Sequence, residues 1–207
     1  MKILSHRGYW IEPGEKNSIP AFTRSLECGF GLETDIRDCA GRIVVSHDMP
    51  IGGEVDFDEF MKLFSGIDRP LAMNIKADGL AVALKNALSA CDVKDWFAFD
   101  MSVPDMRAYL NERMPVFARV SEVERDPPWI DEVAGIWFDS FHGGSYDVDR
   151  IAEYLRGGRR VCIVSPELHD RPHQDVWQAL KSLSDEAGLM ICTDYPEQAR
   201  RFFTKHG

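Results

Sequence analysis

Two histidines, two carboxylates and two cations close short apolar runs in this chain. His6 and Arg7 follow the run that opens it, Glu33 and Asp35 stand two apart in a second run, His47 follows a turn, and Asn74 and Lys76 end a third. Carboxylates two apart on a strand project to one face, an expensive arrangement unless a cation or protons neutralise them. Oxygen ligands of this kind suit Mg²⁺ or Ca²⁺. The plainer alternative is a solvated strand edge pairing with Arg37 or Arg7, but flanking Leu32 and Ile36 favour an interior-facing pair. Imidazole titrates near neutral pH, so two histidines at separate strand ends suit the roles of base and acid. Cleaving a P–O ester needs both, one to deprotonate the nucleophile and one to protonate the leaving alkoxide. Arg7 and Lys76 would supply the positive field for the phosphoryl oxygens, although each is also an ordinary partner for a carboxylate.

Such groups must be carried to one place by the chain's regular elements. Apolar or alternating runs recur at Ile3–His6, Gly31–Arg37, Leu71–Lys76, Trp96–Asp100, Val116–Val120, Ile136–Asp139, Val161–Ser165 and Met190–Asp194, each ending in or followed by a polar residue, and read as eight strands. Helical spacing lies between them, as in Ile19, Phe22 and Leu26, or Val148, Ile151 and Leu155. Ser18 is a helix N-cap with Pro20 in the first turn, and Gly29, Gly157-Gly158 and Gly188 follow helices. Eight β-α alternations in a chain this short predict a closed (β/α)8 TIM barrel, a single domain over residues 1–207. The weakest unit is the fifth, where Asp126-Pro127-Pro128 leaves room for only a short helix. The turn Asp38-Cys39-Ala40-Gly41 predicts a hairpin that returns His47 toward the barrel mouth, where catalytic groups of such barrels gather.

With 44% hydrophobic and 28% charged residues, the composition suits a well-packed soluble protein. A net charge of -10 disfavours nucleic acid as a partner, so an anionic substrate has to be small and met by local positive charge. The five scattered cysteines lack C-x-x-C spacing and read as reduced thiols. Ser5-His6-Arg7-Gly8 follows so soon after Met1 that no signal peptide fits ahead of it, and no run reaches the ~18 apolar residues of a membrane span. A cytoplasmic location is the expectation. Trp10, Trp137 and Phe99 are candidates for an apolar lip, with core packing the commoner fate of such residues. His169, Asp170 and His173 read as a solvated loop.

The order His6-Arg7-Gly8, Glu15-x-Asn17-Ser18 before Ala21-Phe22, Glu33-x-Asp35 and His47-Asp48 resembles the glycerophosphodiester phosphodiesterase family. The likeness continues through Lys76 to Thr193-Asp194-Tyr195-Pro196-Glu197, so it spans nearly the whole chain and is densest over residues 5–48. It implies a TIM barrel that hydrolyses phosphodiesters with catalytic His6 and His47, with a divalent cation on Glu33, Asp35 and a third acid two before the strand-three lysine. Here that third position is Asn74, whose neutral amide oxygen still ligates Mg²⁺ or Ca²⁺ but with less charge. Asp139, Glu167 and Asp194 also close strands, and any one is a candidate replacement for the missing acid. The stretch from His47 to Asn74 is shorter than the insertion usual in the family, offering one short helix around Phe57, Phe60 and Leu63. In this the chain is also similar to sphingomyelinase D-like barrels.

The expected activity is that of a phosphoric diester hydrolase on a small or lipid-derived diester. A hydroxyl of the substrate acting as first nucleophile would give a cyclic phosphate, a lyase outcome. Two rivals stand beside it: a catalytically weakened barrel that binds phosphorylated ligands, and an aldolase-like barrel with Lys76 as a Schiff-base lysine.

Overall fold

The computed structural model describes residues 1–143 and 146–204. Ten strands form one sheet, in the order β1 (Lys2–His6), β10 (Leu189–Thr193), β9 (Arg160–Val164), β8 (Gly135–Phe138), β7 (Val116–Val120), β6 (Trp96–Phe99), β5 (Leu71–Ile75), β2 (Gly31–Cys39), β3 (Arg42–Val45) and β4 (Val55–Asp56). β1 also pairs with β2 in parallel, closing eight parallel strands into a barrel. β3 and β4 hang outside it as an antiparallel flap on the long strand β2. The expected barrel and hairpin are both present.

Alternation along each strand sorts side chains to two faces. The inward set includes Leu4, Ala72, Phe97, Phe99, Phe117, Trp137, Cys162, Val164, Met190 and Cys192, all buried. Phe97 stacks on Phe117 at 3.7 Å, and Phe99 on Trp137 at 3.8 Å, so the interior is filled with rings rather than open. Phe99 and Trp137 therefore belong to the core and form no lip. Opposite them Gly135 has no space for a side chain, since an added Cβ would lie 2.5 Å from the Phe117 ring and 2.7 Å from the Arg160 carbonyl oxygen.

Outside the barrel lie α1 (Ile19–Glu27), α2 (Phe57–Lys62), α3 (Ala81–Ser89), α4 (Val103–Asn111), α5 (Val148–Arg156), α6 (Gln174–Leu180) and α7 (Pro196–Phe203). Ser18 caps α1 by accepting from the Ala21 N–H, and Phe22 is buried under Phe60 of α2 at 4.8 Å. Among the described residues no helix joins β7 to β8, where Asp126-Pro127-Pro128 was expected to leave a short one. No helix among the described residues is long and apolar enough to cross a membrane.

Candidate active site

Continuing the inward alternation past each strand's carboxyl end brings one polar layer to the mouth. His6 lies two residues beyond Leu4, Asn74 two beyond Ala72, and Asp194 two beyond Cys192, while Glu33 and Asp35 alternate with outward Leu32 and Ile36. Register sets Glu33 opposite His6, and Asp35 opposite Asn74. The first and last strands thus bring His6 Nδ1 within 2.7 Å of Asp194 Oδ1, and His6 Nε2 lies 4.0 Å from Glu33 Oε2.

Asp35 is fully buried among compensating groups. The Asn17 amide donates to its Oδ2 at 2.8 Å, Arg7 Nε lies 2.9 Å from the same oxygen, and Lys76 Nζ lies 3.4 Å from Oδ1. The Arg7 and Lys76 contacts have ion-pair distances without hydrogen-bond alignment. Asn17 and Arg7 both adopt left-handed backbone, with φ of 58° and 57°. That bend lets the Arg7 N–H reach Glu33 Oε2 at 3.1 Å while Asn17 accepts from Thr34 Oγ1 at 2.9 Å. Glu33 is less well compensated: burial first, then the neighbouring Asp35 charge, outweigh His6, Arg7 and Lys76 and push its carboxyl up to about 7. Asn74 is buried with its Oδ1 unpartnered.

His47 sits apart, on the loop between β3 and β4. Its side chain is 43% exposed, with Nδ1 2.9 Å from Asp48 Oδ1. Two contacts tie this loop to the mouth: the Ser46 N–H donates to the Asp35 carbonyl at 3.0 Å, and Arg37 donates to the His47 carbonyl at 3.3 Å. The His47 hydrogen bond and charge, with smaller contributions from Arg7 and Arg37, hold the Asp48 carboxyl below its ordinary value. Among the described contacts the His47 side chain touches neither His6 nor Glu33 nor Asp35.

The three strand-end acids weighed as replacements each have other partners. Asp194 holds His6. Glu167 accepts from Ser165 Oγ at 2.5 Å, from Thr193 Oγ1, and from the Asp194 N–H at 3.2 Å, fixing the strand end that carries Asp194. Asp139 meets His169 Nε2 at 2.8 Å. His169 and His173 are therefore not a solvated loop: His173 is buried against Trp177, ring centroids 4.1 Å apart, with Glu167 3.7 Å from its Nδ1. Nothing local marks these pairings, because His169 and Asp139 are 30 residues apart and His6 and Asp194 are 188 apart. Asn17 stood in a recognisable motif without an assigned task; its task is to satisfy Asp35.

Among the described residues no three His, Cys, Asp or Glu side chains are grouped as a metal site. The available donors are two carboxylates and the Asn74 amide oxygen. These fit a hard cation in two respects: the buried Asn74 Oδ1 lacks any donor, and the Glu33 anion is disfavoured by burial and by the Asp35 charge more than His6, Arg7 and Lys76 relieve it.

No family model matches the chain, and no curated protein matches it. Solved structures do. A candidate glycerophosphodiester phosphodiesterase from Galdieria sulphuraria superposes with a TM-score of 0.75 at 16% identity, covering 99% of this chain and 98% of that one. An Oleispira antarctica phosphodiesterase, solved in complex with the product sn-glycerol-3-phosphate, gives 0.68 at 15% identity, with 98% and 96% covered. A Ca²⁺-dependent phosphatidylinositol-specific phospholipase C from Streptomyces antibioticus gives 0.56 at 13%, with 98% and 96% covered. What the chain shares with these proteins is their fold, an eight-stranded α/β barrel along nearly its full length.

Proposed function

We propose that this protein is a divalent-cation-dependent phosphoric diester hydrolase of the glycerophosphodiester phosphodiesterase type, acting on a small or lipid-derived diester. The observation that carries the reading is His6, held by Asp194 at the barrel mouth beside Glu33, with Arg7 and Lys76 gathered around Asp35. Likeness in fold to phosphodiesterases, one of them Ca²⁺-dependent, supports it.

A carboxylate acceptor at Nδ1 keeps the ring proton there and leaves the His6 Nε2 lone pair to take a proton from the attacking hydroxyl. His47, steadied by Asp48, is the second imidazole and returns a proton to the departing alkoxide. Arg7 and Lys76 carry the positive charge that the phosphoryl oxygens need as charge accumulates on them. Glu33, Asp35 and Asn74 would hold Mg²⁺ or Ca²⁺, which supplies Lewis-acid polarisation when bound. With an amide in place of a third carboxylate, the affinity of that set is lower than that of an acidic trio.

The test is a screen of glycerophosphodiesters, lysophospholipids and cyclic nucleotides with each cation, read by phosphorus NMR, in wild type, His6→Ala and His47→Ala. Turnover that survives both substitutions refutes the assignment, and a cyclic phosphate product identifies attack by the substrate's own hydroxyl. One observation favours a second reading, a barrel that binds phosphorylated ligands without turning them over: Arg7 and Lys76 are both engaged by Asp35, and Asn74 stands where the acid is expected. Calorimetric binding of a phosphomonoester, indifferent to both histidine substitutions and to cations, would select it.

A further inference from the structure

Seven large apolar side chains are exposed among the described residues, and all lie at the mouth end of the barrel. Ile11 follows β1, Met49 and Ile51 follow β3, Val123 follows β7 and Tyr195 follows β10. Val82 and Val103 occupy the first turns of α3 and α4, which begin where β5 and β6 end. Single exposed apolar residues are ordinary on any protein, but scatter would place some at the foot of the barrel. Ile51 is 96% exposed beside Gly52 and Gly53, at the tip of the loop that carries His47.

We infer that the mouth face docks on a zwitterionic lipid surface, presenting the site to a diester held in that surface. Charge selects this occupant. The chain carries a net charge of -10, which opposes an anionic bilayer, and three cations of the mouth are engaged internally, Arg7 and Lys76 by Asp35 and Lys16 by Asp194 at 3.9 Å. Aromatic groups with one polar end suit the interfacial level of a membrane, and Tyr195, 40% exposed, borders with Ile11 a cavity of about 290 Å³ beside Asp194. That cavity joins Ile11 and Tyr195 to the Asp194 side of the His6–Asp194 pair. The purpose of docking rests on the phosphodiesterase reading; the binding itself does not.

Cosedimentation with phosphatidylcholine vesicles tests it, using wild type, Ile51→Asp and Val123→Asp, with Ser182→Asp at the foot of the barrel as a control of equal charge change. Wild type is expected to sediment with lipid. Each mouth substitution is expected to lower the partition coefficient about tenfold, the worth of one large apolar side chain, and the control to leave it unchanged. Hydrolysis of a soluble aryl diester is expected to be equal in all four. Wild type that stays in the supernatant, binding that requires phosphatidylserine, or mouth variants that bind like wild type would each overturn the inference. Vesicle binding without hydrolysis of any diester would remove the enzymatic reading and leave the docking face, whereas hydrolysis without vesicle binding would remove the docking face alone.

Discussion

Replacing Asn74 by Asp restores an acid where the proposed cation set has an amide, with almost no change in shape. Asn74 lies in register with Asp35 on the neighbouring strand, buried and without a partner for its Oδ1. Two like charges about 5 Å apart at an effective dielectric of about 20 repel by roughly 3 kcal/mol. Lys76 offsets part of this, and the new carboxyl relieves the rest by taking up a proton, so the variant in EDTA should melt at or below the wild-type temperature. A divalent cation reverses the sign. A third carboxylate that tightens binding by about 10- to 100-fold adds about 1.4–2.7 kcal/mol of ligand-linked stability at saturation. For a chain of this length that corresponds to about 3–10 °C in Tm beyond any wild-type response. Thermal melts in EDTA and across Mg²⁺ and Ca²⁺ titrations measure it directly. An Asn74→Asp variant whose cation-dependent rise equals that of wild type would show that residue 74 does not face the ion. Absence of a rise in both proteins would remove the cation from the proposal.

Asp194→Asn keeps a hydrogen bond to His6 but no longer favours the Nδ1 proton; kcat on an aryl phosphodiester should fall about 10- to 100-fold with an unchanged circular dichroism spectrum, against the ~10²–10⁴-fold loss expected for His6→Ala. Undiminished turnover in Asp194→Asn would separate that carboxylate from the chemistry. Gly135→Ala drives a methyl into the Phe117 ring and the Arg160 carbonyl, so urea denaturation should show a loss of about 1–3 kcal/mol or more, since a strand backbone cannot swing aside. Burial pushes the Cys162 and Cys192 thiols far up and hides both completely, so native alkylation followed by mass spectrometry should modify Cys28 and Cys39 and leave those two untouched.

The barrel was legible in the sequence because each of its strands is a short apolar run stopped by a polar residue, and because buried parallel strands show little alternation to confuse the reading. The flap was half legible. The turn after Asp38 announced β3, whereas the two-residue β4 carries no pattern that could distinguish it from loop. Within the site, Glu33 and Asp35 could be read from spacing alone, since two residues on one strand share a face whatever the fold. His6 and Asp194 could not be joined in this way. Their meeting depends on β1 pairing with β10, a consequence of closure and not of any local signal. The same reason hid the Asp139–His169 pair, and it sent Phe99 and Trp137 inward: β6 and β8 place them in layers whose filling is decided by all eight strands together.

The seam between β1 and β10 also has a consequence for biosynthesis. During translation β1 emerges long before β10 and waits with an open edge until residues 189–193 have cleared the ribosome. Until then residue 6 has no carboxylate at its Nδ1, even when every motif of residues 5–48 is already made. The His6–Asp194 contact therefore forms only when β10 has been made and has docked against β1.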